Sequence, residues 1–392
     1  METSYIQHPF GLLAVLATIP ALIFIAANHP RTGKIFKVVP ALVFAYFIPS
    51  ILSSLHIIPQ NAPIYSAIKT FVLPASLLLL TLAVDIVGIM RLGPKAVIMF
   101  LSGTVGIVIG GPIALALFHN QLPEDVWKGM AALAGSWIGG GANFIAIGKS
   151  VGATDAMLGT MVIVDVLVAN IWTGTLLFLA GRYQTIDNWL KADNSAIEEL
   201  KHKVIAFQEK TNRVATVTDY MVIMMLAFGG SWLAYLAGQA LPPVGAIISH
   251  TTWTVIIITT AGVILSFTKV KTYEGAGASK LGTIMLYLLI GVIGAHADLT
   301  AIIEYPMLFG MGLSWIAVHI IIMLTVMKLI KAPLFFMAVG SQANVGGAAS
   351  APIVAAAFHP ALASVGVMLG IAGYVLGTYA ALICASLLRM VG

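Results

Sequence analysis

The sequence is poor in charged residues and in cysteine. Charged side chains make up 9% of its 392 residues, whereas a soluble domain carries about 25%. Hydrophobic residues account for 59% and mean hydropathy is +0.99, so we predict an all-α polytopic protein embedded in the lipid bilayer. Its one cysteine, Cys384, excludes an intramolecular disulfide and any cysteine-based metal cluster.

Several motifs of pumps and enzymes are also missing. The sequence has no P-loop of the form Gly-x-x-x-x-Gly-Lys-Ser/Thr, which argues against an ATP-driven pump. His-Glu-x-x-His and Gly-x-Ser-x-Gly are absent, which argues against an intramembrane hydrolase. The first apolar run, Phe10 to Ala27, follows no basic residue and has no convincing cleavage site, so we expect a retained helix rather than a signal peptide.

Long apolar segments recur along the whole chain. A spanning helix needs about 20 mostly apolar residues. Ten segments qualify: 10–28, 35–54, 65–90, 95–118, 155–181, 218–240, 245–268, 279–297, 305–330 and 361–388. Two more, 126–148 and 333–357, are long enough but rich in glycine, which costs a helix about 1 kcal/mol relative to alanine. We therefore expect each of these two to contain a break, surrounded by protein or by a watery cavity.

The basic residues indicate whether the Gly-rich segments cross the membrane. If neither crosses and the N-terminus is outside, 16 of the 20 Lys and Arg residues fall on cytoplasmic loops, and Lys69, Lys128, Lys149 and Arg389 remain outside. If both cross, the basic loop 182–213 and the two loops after it move outside, against the positive-inside rule. We therefore predict ten spans and two re-entrant elements, the first entering from outside and the second from the cytoplasm.

The same count predicts an inverted repeat. Each half holds four helices, a Gly-rich re-entrant or broken helix and a fifth helix, and five crossings invert the second half. We expect an N-terminal repeat over 1–181, a charged cytoplasmic linker over 182–217 and a C-terminal repeat over 218–392. Within the linker, residues 193–212 are predicted to form a surface helix, most simply a solvated connector.

The motifs Gly135–Asn143 and Gly340–Gly347 are the predicted binding elements. A helix broken in the membrane leaves unpaired N–H groups, which attract anions, and unpaired carbonyls at the other end. With Asn, Gln and Ser side chains, such carbonyls suit a hard cation such as Na⁺. The predicted site residues are Ser136, Gly139, Gly140, Gly141, Asn143, Ser341, Gln342, Asn344, Gly346 and Gly347. Tight helix packing alone is the alternative.

One carboxylate lies deep within a predicted span. Asp165 is costly there without a compensating partner, which makes it a functional-site candidate. We predict that it binds a coupling cation or takes up a proton, and the alternative is a structural hydrogen bond to a Ser or a backbone amide of the Gly-rich element. Asn170 and Thr173 share another face of the same helix. Asp85 and Asp298 lie nearer helix ends, where capping or interfacial solvation is expected.

These residues resemble known membrane proteins. Over nearly its full length the chain resembles the YjcL-like family, a bacterial membrane-protein family of unknown function, most specifically in Phe335–Pro360 and in its partner Gly135–Gly148. The inverted ten-helix arrangement and the two Gly-rich segments are also similar to the sodium-coupled glutamate and 2-hydroxycarboxylate symporters. That architectural resemblance implies an elevator-type or rocking transporter, a homodimer, and re-entrant tips that meet at a central site. It implies no particular substrate.

The function expected from the sequence is cation-coupled secondary transport, with Na⁺ as the coupling ion, of a small polar or anionic solute across the bacterial inner membrane. The alternatives are a cation/proton exchanger, with Asp165 and Asp298 as alternating sites, and an intramembrane enzyme acting on a lipid-linked substrate. Apart from coupling Na⁺ or H⁺ no cofactor is expected, and the net charge of +5 is attributed to cytoplasmic loops rather than to a nucleic-acid partner. His319 and His250 are expected to form hydrogen bonds in packing.

Overall fold

The computed structural model describes residues 4–36, 41–123, 125–192, 214–244, 248–296, 306–359 and 362–392. Asp298 and the surface helix predicted at 193–212 lie outside these residues. Regular elements in the described part are all helices: α1 (Pro9–Asn28), α2 (Gly33–Phe36), α3 (Ala41–Ser54), α4 (Pro63–Leu82), α5 (Ile86–Arg91), α6 (Pro94–Phe118), α7 (Val126–Val151), α8 (Asp155–Ala180), α9 (Tyr183–Leu190), α10 (Val217–Ala240), α11 (His250–Ser266), α12 (Ala278–His296), α13 (Met307–Leu329), α14 (Leu334–Val345), α15 (Gly347–Phe358) and α16 (Ala363–Val391), with short 3₁₀ turns at His119–Gln121 and Lys269–Glu274. This confirms an all-helical membrane protein.

Local sequence explains where many helices begin. Proline occupies the first position of α1, α4 and α6, where its missing N–H is no loss. Capping boxes start α10, at Thr216 and Asp219, and α11, at Ser249 and Thr252. Asp85 accepts a hydrogen bond from the backbone N–H of Gly88 and starts α5. The predicted capping role of Asp85 is therefore present, and it splits the segment predicted as one span over 65–90.

The helix lengths match most of the predicted spans. Nine of the described helices are long and apolar enough to cross a membrane, and eight of these correspond to predicted spans. The ninth is α7, the first Gly-rich segment. In their described residues, the segments predicted at 35–54 and 245–268 contain the shorter helices α3, with 14 residues, and α11, with 17 residues. At 1.5 Å per residue, α3 is about 21 Å long, less than the about 30 Å of a hydrocarbon core.

The first Gly-rich segment folds back on itself. At Gly140 the backbone has φ 72° and ψ −174°, which interrupts α7. A Cβ at Gly135 would lie 2.8 Å from the carbonyl oxygen of Asn143, and one at Gly148 would lie 3.3 Å from the Cβ of Ala132. In a straight helix these pairs would be about 12 and 24 Å apart. We call residues 126–151 hairpin 1, with its tip at Gly140.

The second Gly-rich segment forms a similar hairpin. Helices α14 and α15 meet at Gly347, whose φ is +59°. The rings of Phe335 and Phe358 lie 5.5 Å apart between centroids, although 23 residues of straight helix would separate them by about 34 Å. Near the turn, Gln342 Nε2 donates a hydrogen bond to Ser350 Oγ at 2.6 Å. We call residues 334–358 hairpin 2.

The two hairpins enter the molecule from opposite ends. Each of them starts and ends at the same end. Hairpin 1 starts beside the C-terminus, because Gly392 lies against Trp127. We call this end face A. Hairpin 2 starts and ends beside α9, because Leu334 N–H donates to Asp187 Oδ1 at 2.7 Å and the ring of Phe358 contacts that of Tyr183. We call this end face B. Helix α16 runs from the end of hairpin 2 to face A.

The end of hairpin 1 also lies at face A. The short turn after it leads into Asp155, the first residue of α8. Asp155 Oδ2 lies 2.5 Å from Lys69 Nζ near the start of α4 and 3.4 Å from His296 Nε2 at the end of α12. Lys69 and Lys149, both predicted to lie outside, are within electrostatic range of each other. Four ionisable groups from α4, α7, α8 and α12 therefore share one end of the bundle.

The helices pack into two bundles. The hairpin bundle contains α6, α8, α13 and α16 with both hairpins, and the flanking bundle contains α1, α3, α4, α10, α11 and α12. Packing within each bundle is far more extensive than packing between them. Both bundles take helices from the first and the second half of the chain. The two Gly-rich segments, which come from different halves of the chain, therefore lie together in one bundle.

Candidate binding site between the hairpin tips

Helix α16 brings the two hairpin tips together. Its glycines at 366, 370, 373 and 377 form a stripe that contacts both hairpins. A Cβ at Gly373 would clash with the carbonyl oxygen of Ile138 and would lie 3.5 Å from that of Ala343. One turn further, a Cβ at Gly377 would lie 2.5 Å from the Cα of Gly139. Small residues let helix backbones approach closely, and here they place the tips of both hairpins beside the same residue.

Asp165 is bound to the first arm of hairpin 1. Its Oδ2 accepts a hydrogen bond from Ser136 Oγ at 2.5 Å, and its Oδ1 accepts one from Trp137 Nε1 at 2.8 Å. The side chain is half-buried, whereas Trp137 is fully buried. A Ser partner, as the structural alternative for Asp165 predicts, is therefore present, and it belongs to the Gly-rich element. Each carboxylate oxygen keeps a lone pair, so a cation remains chemically compatible with this position.

The same helix contacts hairpin 2 two turns later. Trp172 Nε1 donates to Ser341 Oγ at 2.8 Å, and Gln342 Nε2 donates to Thr173 Oγ1 at 2.8 Å. Thr173 thus joins the predicted site, but Asn170 does not, since its amide donates to the backbone of its own helix. Helix α8 therefore contacts hairpin 1 through Asp165 and, two turns further along, hairpin 2 through Trp172 and Thr173.

Gln342 holds an unsatisfied acceptor at the tip of hairpin 2. Its Nε2 donates to both Thr173 and Ser350, whereas its Oε1 is buried and has no hydrogen-bond partner in the described part of the chain. A buried acceptor without a donor costs about 1–3 kcal/mol. Helix α15, the second helix of hairpin 2, starts at Gly347 and presents its first backbone N–H groups here. Gln342 Oε1 is an oxygen available to a cation or to a donor on a solute.

Asn143 fastens hairpin 1 to α16. Its Nδ2 donates to the carbonyls of Gly139 and Tyr374, at 3.1 and 2.9 Å, and its Oδ1 accepts from Thr378 Oγ1 at 2.6 Å. Thr378 lies 3.2 Å from Thr259 Oγ1 of the flanking bundle. The side chain of Asn143 is fully buried. Its amide therefore acts as a clamp, and its predicted role as a ligand stays a prediction.

Asn344 fastens hairpin 2 to α6 in the same manner. Its Nδ2 donates to the carbonyls of Phe100 and Gly340, both at 2.9 Å, and its Oδ1 accepts from Thr104 Oγ1 at 2.8 Å. In both clamps the amide donates to the carbonyl four residues before it and to a neighbouring helix, and it accepts from a Thr one turn further along that helix. Sequence reasoning found both asparagines but not Thr104 or Thr378, which carry no local signal.

Replacing Asn344 with alanine is expected to destabilise the protein. The change removes the two hydrogen bonds that the amide donates to carbonyls of α6 and hairpin 2, and it leaves the Thr104 hydroxyl with only the Phe100 carbonyl, 3.5 Å away. Each lost hydrogen bond costs about 0.5–1.5 kcal/mol. We expect a clearly lower midpoint of thermal unfolding in detergent, with membrane insertion unchanged. Asn170→Ala is the matched control, because within the described residues the hydrogen bond of that amide goes to the carbonyl of Val166 in its own helix. Equal unfolding midpoints for the two variants would contradict the clamp.

His319 belongs to a chain of hydrogen bonds that links hairpin 2 to neighbouring helices. Because its Nδ1 lies 2.9 Å from the carbonyl oxygen of Gly103, Nδ1 carries the proton, and Nε2 accepts from Ser341 Oγ at 2.7 Å. Trp172 donates to the same Oγ. His319 and Ser341 are fully buried. Their hydrogen bonds connect α13 with α6, α8 and hairpin 2. The role of His319 agrees with the packing hydrogen bonds expected of a lone histidine.

The glycines at the tips serve close approach and backbone geometry. Gly140 and Gly347 both have positive φ. A Cβ at Gly139 would clash with Asn143 and Gly377, and one at Gly346 would clash with Gln342 and Ser350. At Gly141 a Cβ would make only ordinary contacts, 3.5 Å or longer, with α12. In the described part of the chain, no group of three or more His, Cys, Asp or Glu side chains could hold a metal ion.

Comparison with known proteins identifies the family. Residues 14–391 match the family described as "Protein of unknown function (DUF819)". The chain is 24% identical over 371 residues to "Uncharacterized membrane protein YjcL" of Bacillus subtilis (strain 168), covering 89% of this chain and 87% of that protein. The resemblance predicted from Phe335–Pro360 and Gly135–Gly148 is thereby confirmed. Because the match extends over nearly its whole length, the chain belongs to the DUF819 family of membrane proteins.

Proposed function

We propose that this protein is a secondary transporter that couples the movement of a small polar or anionic solute to a cation, Na⁺ or H⁺, across the bacterial inner membrane. The observation that carries the proposal is the meeting of two oppositely directed helical hairpins at Gly373 of α16, beside Asp165. Paired broken helices near the centre of a membrane bundle are the common building plan of transporter binding sites.

The tips offer both signs of partial charge. In each hairpin the first helix ends at the tip, where its last backbone carbonyls have no partner within the helix. The second helix begins at the tip, where its first backbone N–H groups have no partner within the helix. In this proposal the Asp165 carboxylate and the carbonyls at the tip of hairpin 1 hold the coupling cation, and Gln342 Oε1, about two turns away along α8, is a second oxygen available to a cation. The N–H groups of the second arms hold an electronegative group of the solute. Both ligands would lie within one cavity, which is the simplest way for each to favour binding of the other.

Re-entrant topology is part of the proposal. Hairpin 1 begins and ends at face A, and hairpin 2 begins and ends at face B. This supports two hairpins that dip into the membrane from opposite sides between ten crossing segments. The crossings include α3 and α11, whose short lengths would require local thinning of the bilayer or extension by flanking residues.

A topology reporter tests this assignment. We expect reporters fused after residue 200 and after residue 275 to give cytoplasmic signals, and one fused at the C-terminus to give a periplasmic signal. The reason is the clustering of 16 basic residues on one side. A periplasmic signal at 200 would require hairpin 1 to cross the membrane and would overturn the re-entrant proposal.

An exchanger remains the second candidate, because Asp165 is an acid within a span that lies against hairpin 1. The enzyme alternative has a nucleophile and a base in Ser341 and His319, but both are fully buried and Trp172 donates a hydrogen bond to the hydroxyl oxygen.

Transport measurements on purified protein in liposomes distinguish these functions. We expect uptake of one labelled solute from a panel of amino acids and hydroxycarboxylates, accelerated by an inward Na⁺ gradient. Proton release driven by Na⁺ without any solute would favour the exchanger.

A further inference from the structure

A cavity lies at face B, away from the hairpin tips. It has a volume of about 320 Å³ and is formed where α4 turns into α5 and where α11 turns into the 3₁₀ segment Lys269–Glu274. Its lining includes Asp85, Val87, Arg91, Phe267, Thr268 and Lys271. Face B carries the loops predicted to be cytoplasmic, so the cavity lies where spanning helices leave the bilayer. None of its residues contributes to the site proposed above.

The charge of the cavity is positive. Lys271 Nζ lies 2.8 Å from Asp85 Oδ1, and Arg91 acts on the same carboxylate from a longer distance. Burial raises the pKa of Asp85, but the hydrogen bonds from Lys271 and Gly88 and the charges of Lys271 and Arg91 outweigh burial, so the pKa lies below its usual value. Asp85 is therefore ionised at neutral pH and offsets one of the two cations. Arg91, whose side chain is exposed, supplies the excess charge.

The rim of the cavity is apolar and open. Val87 is 50% exposed and Phe267 is 62% exposed, although both belong to the lining. Met90 and Ile264, on the adjoining turns of α5 and α11, are likewise exposed. A soluble anion would gain nothing from these side chains, whereas the acyl chains of a lipid would cover them. Hydroxyls of Ser266 and Thr268 already donate to backbone carbonyls, so recognition depends on the two cations.

We propose that this cavity binds the headgroup of an anionic phospholipid, with its phosphate between Arg91 and Lys271 and its acyl chains along Val87 and Phe267. Basic pockets between membrane helices on the cytoplasmic side suit such headgroups, and each Lys or Arg near the surface contributes about 1 kcal/mol. Gly88 of the same corner lies against Met368 of α16. A lipid bound here therefore sits where the flanking bundle meets the hairpin bundle.

Thermal unfolding of the purified full-length protein in detergent tests the proposal. The probes are phosphatidylglycerol, zwitterionic phosphatidylcholine and inorganic phosphate, each titrated against the unfolding midpoint. We expect saturable stabilisation by phosphatidylglycerol and none by phosphatidylcholine. Arg91→Gln should weaken the apparent affinity about fivefold, and Asp85→Asn, which keeps the helix cap and frees Lys271, should strengthen it by about the same factor. Arg31→Gln, an equal change of charge elsewhere on face B, should change nothing.

Arg91→Gln and Asp85→Asn change the same cavity but should change the apparent affinity for phosphatidylglycerol in opposite directions. This distinguishes a specific site from general attraction to a basic surface. Equal affinities for wild type, Arg91→Gln and Arg31→Gln would overturn the proposal. So would stabilisation by inorganic phosphate to the same extent, because that would identify a site for soluble anions. If Arg91→Gln does not fold, Lys271→Gln takes its place, and an unchanged affinity for that variant would likewise overturn the site.

Discussion

Replacing Gly140 with alanine is expected to slow transport at least about tenfold while leaving the protein in the membrane. Gly140 has φ 72° and ψ −174°, a region that only glycine occupies at low cost. The strain of a side chain there is about 1–3 kcal/mol. Space is not the problem, because a Cβ would meet only Tyr374, at 3.6 Å. The variant must therefore change the turn itself, and the turn sets the positions of both arms of hairpin 1.

The neighbouring glycine provides a matched control. At Gly141 a Cβ would make ordinary contacts with Leu286 and Ile290, 3.5 and 3.6 Å away, and the backbone there does not have a positive φ. We expect Gly141→Ala to transport at close to the wild-type rate and Gly140→Ala to lose at least about tenfold, the rate equivalent of about 1.4 kcal/mol. Uptake into liposomes and yield of folded protein are measured together. Normal transport by both variants would show that the tip of hairpin 1 is not part of the site.

The sequence predicts the breaks at the two Gly-rich motifs because glycine clusters interrupt helices wherever they occur. It does not predict which glycine makes the turn at 140, because three consecutive glycines are locally equivalent. Only packing against α16 distinguishes them, through the close approach of Gly139 to Gly377 and of Ile138 to Gly373. The stripe of α16 was present in the sequence as small residues at helical spacing. Such spacing is common in membrane helices and indicates packing rather than a particular partner.

The roles of the polar residues were harder to predict. The Gly-rich motifs predict Asn143 and Asn344 as ligands, which stays a prediction, and in the structure their amides bind neighbouring helices. An asparagine in a Gly-rich turn has the same sequence signature in either role, and the partners Thr378 and Thr104 lie more than 200 residues away. The separation into two bundles is hard to predict for the same reason. It depends on contacts between helices from both halves of the chain, which no local pattern encodes.

Asp165→Asn is expected to weaken the apparent affinity for the coupling cation by about tenfold, the equivalent of about 1.4 kcal/mol. The carboxylate accepts hydrogen bonds from Ser136 and Trp137, and an asparagine can keep the bond from Trp137 while its amide donates to the Ser136 hydroxyl oxygen. Packing against hairpin 1 is then retained, and only the charge is lost. If protons couple, the same variant should instead remove the pH dependence of transport, because it has no group to titrate.

Asp155→Asn is the matched control for this prediction. Asp155 lies on the same helix and undergoes the same chemical change, but it pairs with Lys69 and lies near His296 at face A, away from the tips. Transport rate is measured against Na⁺ concentration and against pH for wild type and both variants. A shift in Asp165→Asn alone would assign the coupling charge to the helix that touches both hairpins. Superimposable curves for all three proteins, at equal yield, would mean that Asp165 only holds Ser136 and Trp137 in place. Coupling would then depend on the carbonyls at the hairpin tips and on Gln342 Oε1, the buried acceptor that no described side chain satisfies.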